Sequence, residues 1–402
     1  MTTTIPPQAP ARTAFGGTGG PEIRRVTSAR TRADVVVLLG AGAAGLSLAA
    51  LLATRVIPAV NLGGFVVIAY VLFLVLYGVL VSLDQDGRAV RDRLATVTVH
   101  SIAVLALCAL LFVVGFTFWR GREALGHLNF FTSDMRLAGP LDPLTVGGIV
   151  HAMVGTLIEI TIALLITVPL GLGCAMYLNE AKGALPKFVR TVVEAMTALP
   201  SIVAGLFIYA SVILTFGLTR SGLAAGLAIG VMILPIISRA SDVVIRLVPG
   251  SLREASLAMG ASQWRTALHV VLPTARSGLT TAVLLGTARG VGEVSPVLTT
   301  AGFASAVNLN PTAGPMPSLP LVTFVFASSP EHTMIARAFG AAVALLALVF
   351  VLFALARVLG GRPAGELSPR AMRNRARESQ RDLARFNARQ QAAAQMGAGH
   401  EG

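Results

Sequence analysis

Apolar positions along this chain gather in long uninterrupted runs instead of alternating or recurring on one helix face. Eight segments reach the roughly 20 residues that a helix needs to cross a bilayer: 34–54, 61–83, 97–118, 147–178, 189–216, 222–245, 277–300 and 335–358. Each is predicted as a transmembrane helix. Gly or Pro interrupts several of them, which predicts tilt, kinks or interfacial ends. The first run begins only after 33 polar residues, so no cleavable signal peptide is expected. The expected fold class is an all-α polytopic membrane protein.

Composition strengthens this reading. Of 402 residues, 54% are apolar and 13% charged, too few charges to cover the two or three soluble domains that such a length otherwise suggests. Cys108 and Cys174 both lie in apolar runs, so they read as packing residues and not as a disulfide framework. The net charge of +13 does not point to nucleic acid, because no basic stripe is interleaved with aromatics. Eight of those thirteen charges sit in two Arg-rich tails, 1–33 and 361–402, as expected beside an anionic lipid surface. With the amino terminus placed inside, the cytoplasmic segments hold 24 Lys and Arg and the outside loops hold 5. That asymmetry predicts both termini in the cytoplasm.

The organisation expected is a basic tail (1–33), two leading spans with a charged linker (34–93), a six-span body (94–360) and an Arg-rich tail (361–402). In that last tail Ser368 and Pro369 read as the start of a helix, with Arg370, Arg373, Arg377 and Arg381 at helical spacing. Gly40, Gly42 and Gly45 follow an apolar run with the spacing of a dinucleotide-binding turn. No Asp or Glu follows between Leu46 and Leu83 to hold a ribose, so the glycines read as a close-packing face of a membrane helix.

Ionisable groups at bilayer depth cost at least ~2.5 kcal/mol each, so they mark paths or pairs. Arg239 and Asp242, three apart on one helix face, read first as a self-satisfying interfacial pair. Glu194 is near enough to a span end to snorkel, and the role of the deeper Glu159 stays open. Arg289 and Glu293 are four apart and share a face. Arg289 lies 13 residues beyond Arg276, roughly 20 Å into a core about 30 Å thick. A guanidinium fork at that depth suits an oxyanion path. A structural ion pair joining helices is the equal alternative from spacing alone. No metal cluster, nucleophile–base set or phosphate-binding Gly-Lys-Ser/Thr loop occurs, so neither a cofactor nor catalysis is expected.

Between the sixth and seventh runs lies a cytoplasmic loop, 249–273. Pro249 and Gly250 break the preceding helix. Ser251 and Glu254 have the spacing of a capping box, and Gly260 permits the turn that follows. Glu254-Ala255, then Gly260 six after the Glu, then Val270-x-Leu272-Pro273 resembles the EAA loop of ABC importer permeases. The resemblance implies that Glu254, Ala255, Gly260, Leu272 and Pro273 couple this chain to a cytoplasmic ATPase. Further blocks narrow it: His151-Ala-x-Val-Gly-Thr156, Leu199 to Phe207, Leu234 to Arg239, Ala288-Arg-Gly-Val-Gly-Glu293 with Pro296, and Ser318-Leu-Pro320. Together they are similar to phosphate importer permeases of the PstA type over residues 94–360. Val294 and Ser295 depart from the family's usual Thr and Ala, and the two leading spans and the Arg-rich tail lie outside its pattern.

The resemblance implies a transport subunit of a bacterial cytoplasmic membrane, working with a second homologous permease, an ATPase dimer and an extracytoplasmic phosphate-binding protein. It places Arg289 and Glu293, with Arg239, along the substrate path. The alternatives are an importer of sulfate or molybdate, or an ion-coupled secondary transporter. Pro169, Pro200, Pro235 and Pro296 are expected as kinks or bending points.

Overall fold

The computed structural model describes residues 32–55, 61–360 and 372–385, and regular structure among them is entirely helical. In chain order the helices are α1 (Arg32–Arg55), α2 (Leu62–Ser82), α3 (Gly87–Leu125), α4 (Asn129–Thr132), α5 (Val150–Glu180), α6 (Ala184–Thr197) and α7 (Ser201–Ile208). There follow α8 (Gly222–Arg246), α9 (Gly250–Ala258), α10 (Gln263–Thr266), α11 (Leu272–Val291), α12 (Ser295–Thr300), α13 (Leu319–Ala327) and α14 (His332–Gly360). A π-helical turn, Ala267–Val271, makes α10 and α11 continuous. Residues 372–385 are helical and exposed; the expected helix start at Ser368 and Pro369 lies outside the described residues.

Among the described residues seven helices are long and apolar enough to cross a membrane, and the bent pair α6–α7 makes an eighth span if counted as one. The chain is an all-α, multi-pass membrane protein. The run at 189–216 is not the straight span its composition predicts. It divides into α6 and α7, which meet at 106°. Pro200 stands at the N-cap of α7 in extended backbone (ψ 137°), where its ring disfavours helix for Leu199. A second π-helical turn, Tyr209–Thr215, extends α7. The run at 277–300 is also divided, since α11 ends at Val291 and α12 begins at Ser295. Pro169 and Pro235, by contrast, lie inside continuous helices.

Two compact units divide the chain at Leu111 and Phe112. In the first, α1 and α2 approach closely where Gly45 faces Phe73. A β-carbon there would lie 2.8 Å from the Phe73 backbone nitrogen. The glycine run is therefore helix packing and not a nucleotide turn. Asp34 accepts from Arg93 and ties the start of α1 to α3.

The second unit is built on α5, α8 and α11. Ile160, Ile229, Ile233, Ile237 and Val291 form the centre of its apolar core. α11 lies against α8 through small residues. A β-carbon at Gly278 would be 2.5 Å from Val244, at Gly286 2.6 Å from Ile237, and at Gly290 2.9 Å from Ile233. Branched side chains of α8 thus fill the places where α11 has none.

Blocks that are distant in sequence meet here. Thr156 donates to the Ala152 carbonyl at 2.8 Å and accepts from the Leu319 amide at 2.7 Å. That joins the His151–Thr156 block to Ser318-Leu-Pro320. Likewise Gly205 of α7 packs on Pro296 of α12.

Candidate functional site

Arg289 occupies the last turn of α11. Gly292 ends the helix, its amide bonding to the Arg289 carbonyl at 3.2 Å. Glu293 stands in the gap before α12. Arg289 Nε lies 3.5 Å from Glu293 Oε1, and the side chains are 59% and 16% exposed. Among the described residues no protein hydrogen bond uses the guanidinium's two terminal nitrogens. An interrupted helix at membrane depth is tolerated where it lines protein or a water-filled cavity. This break therefore presents a half-free cation with an acid beside it.

Arg239 is exposed on α8. It forms no ion pair with Asp242, contrary to the expectation from their spacing. Asp242 instead accepts from Arg246 twice, Nε to Oδ1 at 3.2 Å and Nη2 to Oδ2 at 2.8 Å. It also accepts from Asn179 at 2.7 Å and lies 3.6 Å from Arg190. The reason is geometric. Helical side chains lean toward the amino terminus, so a base four residues after an acid reaches back over it, while a base before it leans away.

Glu159 is deep in the second unit, 1% exposed, with the equally buried Ser318 hydroxyl beside its carboxyl group. Its neighbour one helical face away, Ile160, belongs to the apolar core. Glu194 is exposed on α6. Cys174 is half-buried and Cys108 exposed, both as free thiols.

The 249–273 loop folds as a short helix, a turn and a return. The capping box does not form. Pro249 is the N-cap and Ser251 already lies inside α9, with no side-chain cap. Gly260 has φ +81°, and the Ala261 amide reaches the Ser256 carbonyl at 3.2 Å, the closing bond of a left-handed helix stop. Glu254, Ala255 and Gly260 are exposed, as are Leu257 (43%), Met259 (88%) and Trp264 (64%). Ser262 caps α10 by accepting from Arg265 N at 3.3 Å. Leu272 and Pro273 do not end a separate segment; they form the first turn of α11. The π-helical turn before them is where a proline ring would strain regular helix.

Sequence reasoning missed Arg337. It is 1% exposed in α14, and its Nη2 donates to the carbonyls of Asp142 (3.1 Å), Pro143 (2.9 Å) and Val146 (2.9 Å). Arg337 holds the loop before α5 in place. Its position near a span end hid that role, because nothing in the local sequence marks backbone carbonyls as its partners.

Comparison with known proteins supplies the family. The model of binding-protein-dependent transport system inner membrane components matches residues 167–364. The phosphate transport system permease protein PstA 1 of Mycobacterium tuberculosis is 36% identical over 263 residues, 65% of this chain and 86% of the relative. PstA of Yersinia pestis is 31% identical over 279 residues, 68% and 92% respectively. Among solved structures, an inward-facing MetNI methionine ABC transporter covers 52% of this chain and 91% of its own, with 19% identity and a TM-score of 0.42. The chain belongs to the binding-protein-dependent inner-membrane transport components, within the family of PstA phosphate transport system permeases.

Proposed function

We propose that this chain is the permease subunit of an ATP-driven importer of inorganic phosphate. The observation that carries the reading is the Arg289–Glu293 pair at the break between α11 and α12. Arg289 offers two free guanidinium nitrogens to oxyanion oxygens. Glu293 accepts the hydroxyl of a protonated phosphate, whereas it repels an oxyanion with no proton to give. The half-open setting of Arg289 fits a path completed by a second, homologous permease, with Arg239 further along it.

The six spans from residue 94 to 360 form the transport body, preceded by the two spans of 34–93. Both tails, 1–33 and 361–402, face the cytoplasm and its anionic lipids. An extracytoplasmic phosphate-binding protein delivers the substrate. ATP hydrolysis belongs to a separate ATPase dimer, docked on the exposed face of α9 around Glu254, Ala255 and Gly260, with Leu272 and Pro273 carrying the connection into α11. The exposed Leu257, Met259 and Trp264 suit an apolar groove on that partner.

The test is labelled-phosphate uptake in cells lacking this chain, with and without its return, and with sulfate and molybdate as competitors. Restored uptake that neither competitor reduces is expected. Competition by sulfate or molybdate, or no phosphate phenotype, would assign a different substrate.

A further inference from the structure

α9 has two faces. Glu254, Leu257 and Ala258 are exposed on one. Arg253 and Ser256, three apart, are half-buried on the other. Ser256 Oγ lies 2.8 Å from Thr266 Oγ1, which closes the loop on itself. Arg253 reaches out of the loop to two spans. Its Nη1 donates to Glu180 Oε1 at 2.9 Å and its Nη2 to the Ile245 carbonyl at 3.2 Å. Glu180 is the final residue of α5, and Ile245 is in the last turn of α8. The carbonyls of a last turn have no partner within their own helix, and a cation there also meets the negative end of the helix dipole. One planar side chain thus gathers the ends of α5 and α8 onto the coupling helix.

The chain leaves α9 in two directions, back to α8 through Leu247, Val248 and Pro249 and onward to the break at Arg289 through Gly260, a turn with a positive φ; neither direction reaches α5. That turn is closed by the Ala261–Ser256 and Ser256–Thr266 hydrogen bonds, so α9 and α10 move together. The Arg253 clamp provides the link to α5 and a second one to α8. α8 is engaged by α11 along Gly278, Gly286 and Gly290, and Arg289 follows Gly286 by three residues on that helix.

We infer that Arg253 is the positioning residue that passes movement of α9 to the spans, through Glu180 to α5 and through the Ile245 carbonyl to α8. Glu254, its neighbour on the opposite face, meets the ATPase; Arg253 holds what the ATPase must move. This rests on the functional reading above.

The experiment uses the complete transporter with its ATPase in proteoliposomes, comparing Arg253→Glu, Glu180→Arg, the double reversal, and the milder Arg253→Gln. Three quantities are read: phosphate uptake per ATP hydrolysed, the amount of ATPase retained, and the ATP-dependent change in labelling of Leu285→Cys. That reporter is on the exposed side of α11, placed in a chain whose Cys108 and Cys174 are replaced by Ser. Each single reversal is expected to lower uptake per ATP at least tenfold and to remove the ATP-dependent labelling change, with ATPase retained. The double reversal is expected to recover only part of each loss, because it rebuilds the pair with residue 180 while a carboxylate at 253 cannot donate to the Ile245 carbonyl. Should a reversal fail to assemble, Arg253→Gln decides, with a three- to fivefold loss expected. Unchanged coupling in the single variants, or a double reversal no better than either single, would overturn the inference. A wild type that moves no phosphate yet shows the labelling change would defeat the substrate reading and leave this one standing.

Discussion

Two acid–base pairs with the same spacing behave differently in this molecule. Asp242 and Arg246 are four apart with the acid first, and the guanidinium closes on the carboxylate with two hydrogen bonds. Arg289 and Glu293 are four apart with the base first, and one contact of 3.5 Å joins them. Asp242 and Arg246 both lie inside α8, where side chains lean toward the amino terminus and the base reaches back over the acid; Glu293 lies beyond the end of α11, where Gly292 has already stopped the helix. At the end of α8 Arg246, 48% exposed, engages Asp242 through two nitrogens, and Asp242 also lies 3.6 Å from Arg190. At the helix break the cation is left largely open, 59% exposed. Spacing makes a pair, but whether both members lie inside the helix decides how many of the cation's nitrogens the acid engages.

Arg337 is the far extreme of consumption. Arg337→Leu leaves three loop carbonyls without their donor, at about 1–3 kcal/mol each. The largest expected effect is therefore loss of the folded protein from the membrane fraction, with thermal unfolding in detergent as the check. A variant of wild-type stability would separate Arg337 from the loop it holds.

At the open end, Glu293→Gln replaces a charged acceptor for a phosphate hydroxyl by a neutral one and removes the charge that repels other oxyanions. One charge-assisted hydrogen bond is worth about 1.5–3 kcal/mol, so phosphate uptake is expected to fall about tenfold or more at unchanged stability. Sulfate should begin to compete. A stability loss in place of a selectivity change would make this pair structural, like the one at Asp242.

At the closed end the effect is smaller and of the opposite kind. Asp242→Asn leaves Arg246 and Arg190 facing each other, but both are partly solvated. A loss of about 1–2 kcal/mol in stability is expected, between the exposed and buried limits for ion pairs. Equilibrium unfolding in detergent measures it; uptake per folded molecule should change little.

Much of this fold is legible in the residues. The apolar runs give most of the spans, Gly260 gives the turn, and the four-residue spacing brings Arg289 and Glu293 within 3.5 Å, although the helix ends before Glu293 and no helix face is shared. What the sequence hides is direction and distance. Counting apolar residues across 189–216 does not reveal the bend at Pro200, because both arms are apolar enough. Asp242 has Arg239 as its nearest upstream base, yet one of its partners is Arg190, 52 residues away. Ser251 and Glu254 match a capping box that forms only if Ser251 is the N-cap, and the N-cap is Pro249, two residues earlier. Arg253 sits beside the motif that marks the loop, but its partners are contributed by α5 and α8.

The most direct measurement is phosphate uptake by Arg289→Gln in the assembled transporter, alongside its thermal stability and the amount of ATPase that copurifies. A loss of at least a hundredfold, with stability and ATPase association at wild-type levels, is the expected result. Uptake that survives the substitution would contradict the assignment of the open cation to the substrate path and return the pair to a structural role.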